Sequence, residues 1–348
     1  MRTFYTIHRW LGWILAPFLA LSACSGLLLI WLQPVPKSDQ SPPSPAQLAH
    51  AIDRGLVDLT KQHENLKLSY ADLPRGSESI RVRMVSSDQP EQGVWANLDP
   101  ETGKLESLQL DADNLHSWLY NLHHQLLIDE IGSWPIGAAG LLGIVSILIA
   151  LRMWLRVRSL RAPTVQRRWH RSIGIVMMVP MLSALVTGLF LSWPELIRRP
   201  IAALSGQARF IPPTAVPSVT PSQSISPGEA LKIGASQLPS ALPTRLYAAK
   251  AGIYRLRLRT DEWHPNGLNS VYVDAQSNVL RVVLWQELPL SASYTNLVYP
   301  LHIGWLPVST DMPITIVLRV VWTLIAAALI WMVVSGIRWP KRRRTASK

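Results

Sequence analysis

The chain has 348 residues, a formal net charge of +12, 48% hydrophobic residues, fifteen Trp and a single Cys. Two domains are the default expectation at that length, and one cysteine excludes an intramolecular disulfide framework and a cysteine-based zinc or iron–sulfur centre. Four stretches carry no charged residue, Trp13 to Leu32, Ile131 to Leu151, Ser172 to Pro194 and Val320 to Ile337, of 20, 21, 23 and 18 residues; a bilayer core about 30 Å thick needs roughly 20, which excludes soluble, fibrous and disordered classes.

The basic character is local. Residues 1–32 carry +2, residues 152–171 carry +7 and residues 338–348 carry +6, whereas residues 33–118 carry −5 and residues 195–312 carry +3. Positive charge gathered beside membrane ends on one side is a topology signal rather than a nucleic-acid footprint. It predicts that the N-terminus, the 152–171 loop and the tail Lys341-Arg342-Arg343-Arg344 are cytoplasmic, with both long polar segments outside. Trp10, Trp13, Trp154, Trp169 and Trp339 then mark the inner interface and Trp31, Trp134, Trp193 and Trp305 the outer one.

In chain order, the predicted elements are a first membrane helix over 1–32, an outside domain over 33–118, an outer interfacial segment with the second helix over 119–155 and a cytoplasmic loop over 156–170. The third helix follows over 171–194, a second outside domain over 195–300, an outer border segment with the fourth helix over 301–338, and a basic tail over 339–348. Leu21-Ser22-Ala23-Cys24 has the look of a lipoprotein processing site. The apolar run continues to Leu32, however, so the segment reads as a retained helix.

An internal repeat governs this layout. His8-Arg9 and His170-Arg171 open the first and third spans; Ser25-Gly26 and Thr187-Gly188 follow each His at +17/+18, Trp31 and Trp193 at +23, and Pro17 and Pro180 interrupt mid-span. Tyr120-Asn-Leu122-His123 resembles Tyr299-Pro-Leu301-His302 before the return spans, where Ala150-Leu151 stands against Ser335-Gly336. Each outside segment has a proline-rich linker (Pro34 to Pro45, Pro212 to Pro227), then a helix start at Ser44-Pro45 or Ser226-Pro227. Alternating strands follow at Ile80 to Met84 and Tyr254 to Arg259. Hairpins close at Asp99-Pro100 to Gly103 and at Asp274 to Asn278, where Asn278 is expected to take the left-handed position of Gly103. The fold class is therefore an α-helical membrane protein with four transmembrane helices in two parallel-topology repeats, each carrying a small α+β domain.

The paired His-Arg…Ser/Thr-Gly…Trp helices, the Asp-Pro-x-x-Gly hairpin and the paired Leu-His return segments resemble the PepSY-associated transmembrane (PepSY_TM) family over nearly the whole chain. That resemblance implies PepSY-like periplasmic domains, a bacterial inner-membrane location and kinship with ferric-siderophore reductases, in which border histidines hold b-type haem.

Four of the nine His recur at matching positions, His8 with His170 at the inner border and His123 with His302 at the outer. Neutral imidazole is a strong axial ligand for haem iron, and helical bundles build cofactor sites from inward-facing side chains. Two levels of two His predict two haems b. His124, adjacent to His123, and His116, seven residues earlier, are alternative outer ligands; His50, His63 and His264 read as surface residues. Arg319 interrupts the fourth span and either contacts an outer haem propionate or snorkels; Arg9 and Arg171 stand similarly inside. The Ser/Thr-Gly and Ser-Gly pairs let backbones or a flat macrocycle approach closely, and read first as small-residue helix packing; Gly137, Gly140 and Gly143 lie inside an apolar span and lack the preceding strand of a dinucleotide site. Trp322 and Trp331 read as core packing, or as lining for a haem or an electron path. Arg255, Arg257 and Arg259 alternate on one strand face, as a solvated face or an attractor for an anionic chelate.

No hydrolytic or phosphate-binding constellation is present, so catalytic residues are expected to be none and a cofactor carries the chemistry. The expected partners are the bilayer, an external donor (quinol or cytoplasmic reductase), a ferric siderophore or chelate, and no nucleic acid. A non-enzymatic scaffold that binds peptides or a transport partner is the competing reading.

Overall fold

The computed structural model describes residues 2–32, 41–76, 78–86, 93–157, 164–213, 224–305 and 312–337. The basic tail, Trp339 and most of both proline-rich linkers lie outside the described residues.

Among the described residues, three helices are long and apolar enough to cross a membrane: α1 (Arg2–Leu32), α4 (Ser133–Val157) and α11 (Met312–Ile337). A fourth crossing exists only as a bent pair, α5 (Val165–Val176) and α6 (Met178–Ser192), which meet at 63°. The single unbroken third helix expected over 171–194 is thus corrected. Pro180 is the third residue of α6; it has no N–H for the carbonyl four residues back, and its ring crowds that carbonyl. The chain breaks just before it, at Met177 (φ −93°, ψ 5°). Pro17, by contrast, sits inside an uninterrupted α1, which also runs through Cys24 to Leu32. α1 packs on α4 and α11, and α4 on α6.

Outside the spans, α2 (Pro45–Gln62) precedes β1 (Leu66–Asp72), β2 (Ile80–Ser86), β3 (Gly93–Leu98) and β4 (Leu105–Leu110). Later, α7 (Pro194–Ser205) and α8 (Pro227–Ser236) precede β5 (Leu242–Lys250), β6 (Ile253–Arg259), β7 (Asn269–Asp274) and β8 (Val279–Val283). Ser44 and Ser226 cap α2 and α8 by accepting from the N–H three residues on, each with Pro at the first turn.

The two segments do not form two separate domains. One antiparallel sheet, ordered β4-β3-β2-β1-β5-β6-β7-β8, joins them at a seam where Tyr70 faces Tyr247, Ala71 faces Leu246 and Asp72 faces Arg245. Alone, each four-stranded half would expose β1 or β5 as an unpaired edge, and pairing removes both edges. One apolar core lies under the joined sheet, with Leu48, Ile52, Ile80 and Met84 from one half and Leu231 and Leu256 from the other. Asp53 of α2 locks the halves further. Its carboxylate accepts from Gly228 N–H (2.8 Å) and Ser226 Oγ (2.6 Å) at the start of α8, where a negative charge is favoured.

Both hairpins turn on an Asp. Asp99 accepts from the Thr102 N–H (2.6 Å) and Gly103 takes φ +70°. In the second, which is one residue shorter, Ser277 rather than Asn278 occupies the left-handed position (φ 74°), and Asn278 Nδ2 donates to the Asp274 carboxylate (2.9 Å).

Short helices lead from the sheet to the return spans: α3 (Leu115–Gln125) before α4, and α9 (Leu290–Ser293) and α10 (Thr295–Ile303) before α11.

Candidate functional site

His8 on α1 and His170 on α5 meet with ring centroids 6.4 Å apart and planes at 70°. His8 Nδ1 is 3.1 Å from the Ser146 carbonyl and 2.8 Å from Ser146 Oγ on α4. His170 Nδ1 is 2.8 Å from Ser335 Oγ on α11. The pair borders a cavity of about 650 Å³ whose walls are largely apolar, including Met178, Met181 and Met332, with Arg2, Arg9 and Arg171 also on its lining. That volume is in the range of small-molecule and cofactor sites, roughly 300–1,000 Å³.

His123 on α3 and His302 on α10 form the second pair, centroids 6.0 Å apart and planes at 46°. His123 Nδ1 lies 2.9 Å from the Ser22 carbonyl and 3.1 Å from Ser25 Oγ; His302 Nδ1 lies 3.1 Å from Thr187 Oγ1. The two levels are 17 residues apart along α1 (His8 to Ser25), about 25 Å at 1.5 Å per residue.

The hydrogen-bond chemistry assigns the tautomer. A carbonyl oxygen only accepts, so His8 and His123 carry their proton on Nδ1. Ser25, Thr187 and Ser335 spend their own protons on the carbonyls of Leu21, Ser183 and Met332, so each accepts from its imidazole. All four Nδ1 atoms are therefore donors to another helix, and all four Nε2 atoms keep a lone pair. This is the outer-shell arrangement that orients a metal-ligating histidine.

The Ser/Thr-Gly pairs, expected as helix packing, seat these rings. A Cβ at Gly26 would stand 2.9 Å from His123 Cε1, one at Gly188 3.2 Å from His302 Cε1, and one at Gly336 3.8 Å from His170 Cε1. Ser146 was not singled out from the sequence. The return spans align one helical turn differently from the expected match of Ala150-Leu151 to Ser335-Gly336, and Ser146 stands where Ser335 does. Its signal was a hydroxyl inside an otherwise apolar span.

Two histidines are too few for a bare metal ion, and among the described residues no group of three or more His, Cys, Asp or Glu could hold one. Two ligands do suit a metal that brings its own equatorial ring. In each pair the two imidazoles, with ring centroids 6.4 and 6.0 Å apart, stand close enough that they could hold one such centre between them.

His124 stacks on Tyr120 (5.6 Å, 6°), one turn back on α3. His116 lies two turns before His123 on α3. Arg319 lies over the Trp31 ring (5.9 Å), where Trp31 Nε1 also donates to Thr323. Trp322 packs on Gly304, whereas Trp331 is 40% exposed and so is not core. Gly140 and Gly143 face Leu185 at the α4–α6 contact, as helix packing requires.

The sheet face opposite the core is polar and ordered. Trp95, Arg83, Tyr70, Tyr247, Arg255 and Tyr272 stand in one row across β3-β2-β1-β5-β6-β7. Arg81, Asp72, Arg245, Arg257 and Ser270 form the next. Arg245 lies over Tyr70 (4.4 Å) and Arg255 over Tyr247 (5.4 Å). The face is directed toward the short helices, with Trp95 Nε1 donating to Ser117 of α3 (3.0 Å). Arg255, Arg257 and Arg259 are consequently part-buried rather than on a solvated face. His264, expected at the surface, is buried at 7% exposure and stacks on Tyr299 of α10 (4.7 Å, 14°). Burial and the charges of Arg257, Arg75, Arg245 and Arg259 push its imidazole down to about 3. Its loop is knotted by Glu262, a fully buried carboxylate that accepts from Thr260, Leu268 and Asn269.

No curated protein matches the chain. The family model of the PepSY-associated TM region matches residues 5–342, which is nearly the whole of it. A multi-pass membrane protein built on these apolar helices and their paired His motifs, the chain belongs to the PepSY-associated TM region family.

Proposed function

We propose that this protein is a di-haem electron carrier of a bacterial inner membrane, taking electrons at the His8–His170 level and delivering them at the His123–His302 level to a ferric siderophore or similar chelate. The single observation that carries the reading is that all four imidazoles, paired at 6.4 and 6.0 Å, hold Nδ1 against a hydroxyl of another helix. Bound b-type haem would supply one-electron chemistry that no side chain here offers.

The residues' parts follow from their chemistry. Ser146, Ser25, Ser335 and Thr187 fix ring orientation and raise the basicity of Nε2. The apolar and methionine walls of the inner cavity keep water out and lower the local dielectric. Arg2, Arg9 and Arg171 supply positive charge at that cavity for anionic substituents. The distribution of basic residues in the sequence supports a periplasmic sheet and cytoplasmic termini; in this reading the electrons come from an external donor, a quinol or a cytoplasmic reductase.

A reduced-minus-oxidised spectrum of the full chain in lipid nanodiscs, with pyridine-haemochrome quantitation, is expected to show two b-type haems per chain. Anaerobic addition of a ferric chelate should then reoxidise them. Colourless protein from haem-sufficient cells would reject the reading and leave the scaffold role.

A further inference from the structure

We infer that the polar face of the eight-stranded sheet, above the outer histidine pair, is a binding site for a ligand bearing several carboxylates. Seven arginines gather there, Arg75, Arg81, Arg83, Arg245, Arg255, Arg257 and Arg259, against four carboxylates. Asp72 pairs with Arg245 and Asp111 with Arg83; Glu78 accepts from the Arg75 and Gly76 N–H groups, and Glu262 is filled by its own loop.

The register makes the excess costly. Arg245 and Arg257 are directly opposed on neighbouring strands, and like charges in that position repel. Arg257 spends one guanidinium N–H on the Gly267 carbonyl, yet its Nε, the Nε of Arg259, Trp305 Nε1 and the Tyr272 hydroxyl are shielded from water without a hydrogen-bond partner. Shielded donors of this kind normally have partners. Trp305 lies between Arg75 (5.1 Å) and Arg259 (5.8 Å), three residues past His302. Tyr299, three residues before His302, stacks on His264. The short helix α10 and the residues just past its end therefore carry both the outer histidine and the floor of the cationic face.

Guanidinium forks take carboxylates bidentately, and the interleaved Tyr and Trp rings offer flat surfaces to planar parts of a ligand. The carboxylates have two chemical sources: a free polycarboxylate chelate, or the propionates of a cofactor at His123 and His302. The functional meaning rests on the electron-transfer reading, whereas the binding does not.

The test uses the full chain in nanodiscs, haem-loaded and haem-free, titrated with citrate and ferric citrate by tryptophan fluorescence at low and high salt. Citrate should bind and raise the melting temperature, and Arg257→Gln with Arg259→Gln should weaken it by about tenfold or more. Arg209→Gln, a variant of an exposed ion pair with Glu195, should leave binding intact. Equal citrate affinity in loaded and haem-free protein assigns the site to a free ligand. Binding only to haem-free protein, with haem retention reduced in the double variant, assigns it to propionates. If the double variant fails to fold, the wild-type titration and its loss in high salt decide. No citrate binding to wild type, with haem retention unchanged in the single Arg257→Lys variant, overturns the inference. Citrate binding to protein that never acquires haem would sustain this inference while the electron-transfer reading fails.

Discussion

The two histidine pairs have nearly the same geometry and are built from different parts of the molecule. His8 and His170 sit on membrane-crossing elements, beside a cavity walled by four of them. His123 and His302 sit on α3 and α10, short helices tied to the sheet through Trp95–Ser117, His264–Tyr299 and the His264 N–H to Asn296 Oδ1 (2.9 Å). His8 and His170 are held entirely within the helix bundle, by helix packing and by Ser146 and Ser335 of neighbouring spans. The outer pair is held on one side by Ser25 and Thr187 of the spans and on the other by a soluble-type sheet. Two histidine pairs of nearly the same geometry can thus answer to separate folding units, and damage to the sheet should reach one level and spare the other.

The largest expected effect divides the levels outright. His123→Ala or His302→Ala should reduce haem from two to one per chain by pyridine haemochrome, as should His8→Ala or His170→Ala. The two classes should retain haems of different redox potential. If any of these variants loses both haems, the levels are not independent.

Acid should weaken the sheet side. His264 is neutral when folded, and its Nδ1 accepts the Asn266 N–H (3.2 Å). Its folded value is about 3 against 6.5 in the unfolded chain, so the unfolded state binds a proton first. Stability is full above about 6.5 and falls as pH drops toward 3, by about 2 kcal/mol at pH 5. Chemical denaturation followed by sheet circular dichroism should show this slope, flattened in His264→Gln. A perturbation confined to the inner haem over the same pH range would contradict the comparison.

The smallest effects grade the seats of the rings. Gly26→Ala should disturb its imidazole most, Gly188→Ala less and Gly336→Ala hardly, following Cβ approaches of 2.9, 3.2 and 3.8 Å. Overpacking of this kind costs about 1–3 kcal/mol. Electron paramagnetic resonance of the oxidised low-spin haem should follow that order.

Much of the fold is legible because it rests on local patterns. Charge-free runs mark the spans, Ser-Pro marks the starts of α2 and α8, and alternation marks β2, β6 and β7. The 17-residue step from His8 to Ser25 and from His170 to Thr187 is written in the chain, but its purpose is not: each hydroxyl serves a histidine about a hundred residues away. β1 and β5, the central strands, were not recognised. Leu66–Asp72 is weakly alternating and Leu242–Lys250 contains Pro243, so neither announces a sheet centre; pairing with each other makes them one.

By itself, then, the sequence determined where the chain crosses an apolar layer and which residue types recur at its borders, because hydrophobic length and spacing act through neighbours along the chain. Tertiary structure alone decided that two outside segments share one sheet and core, that Ser146 rather than Ala150 faces His8, and that His264 is buried among arginines. Those outcomes depend on strand edges closing on each other and on helices meeting across the bundle, contacts between residues that no local spacing relates.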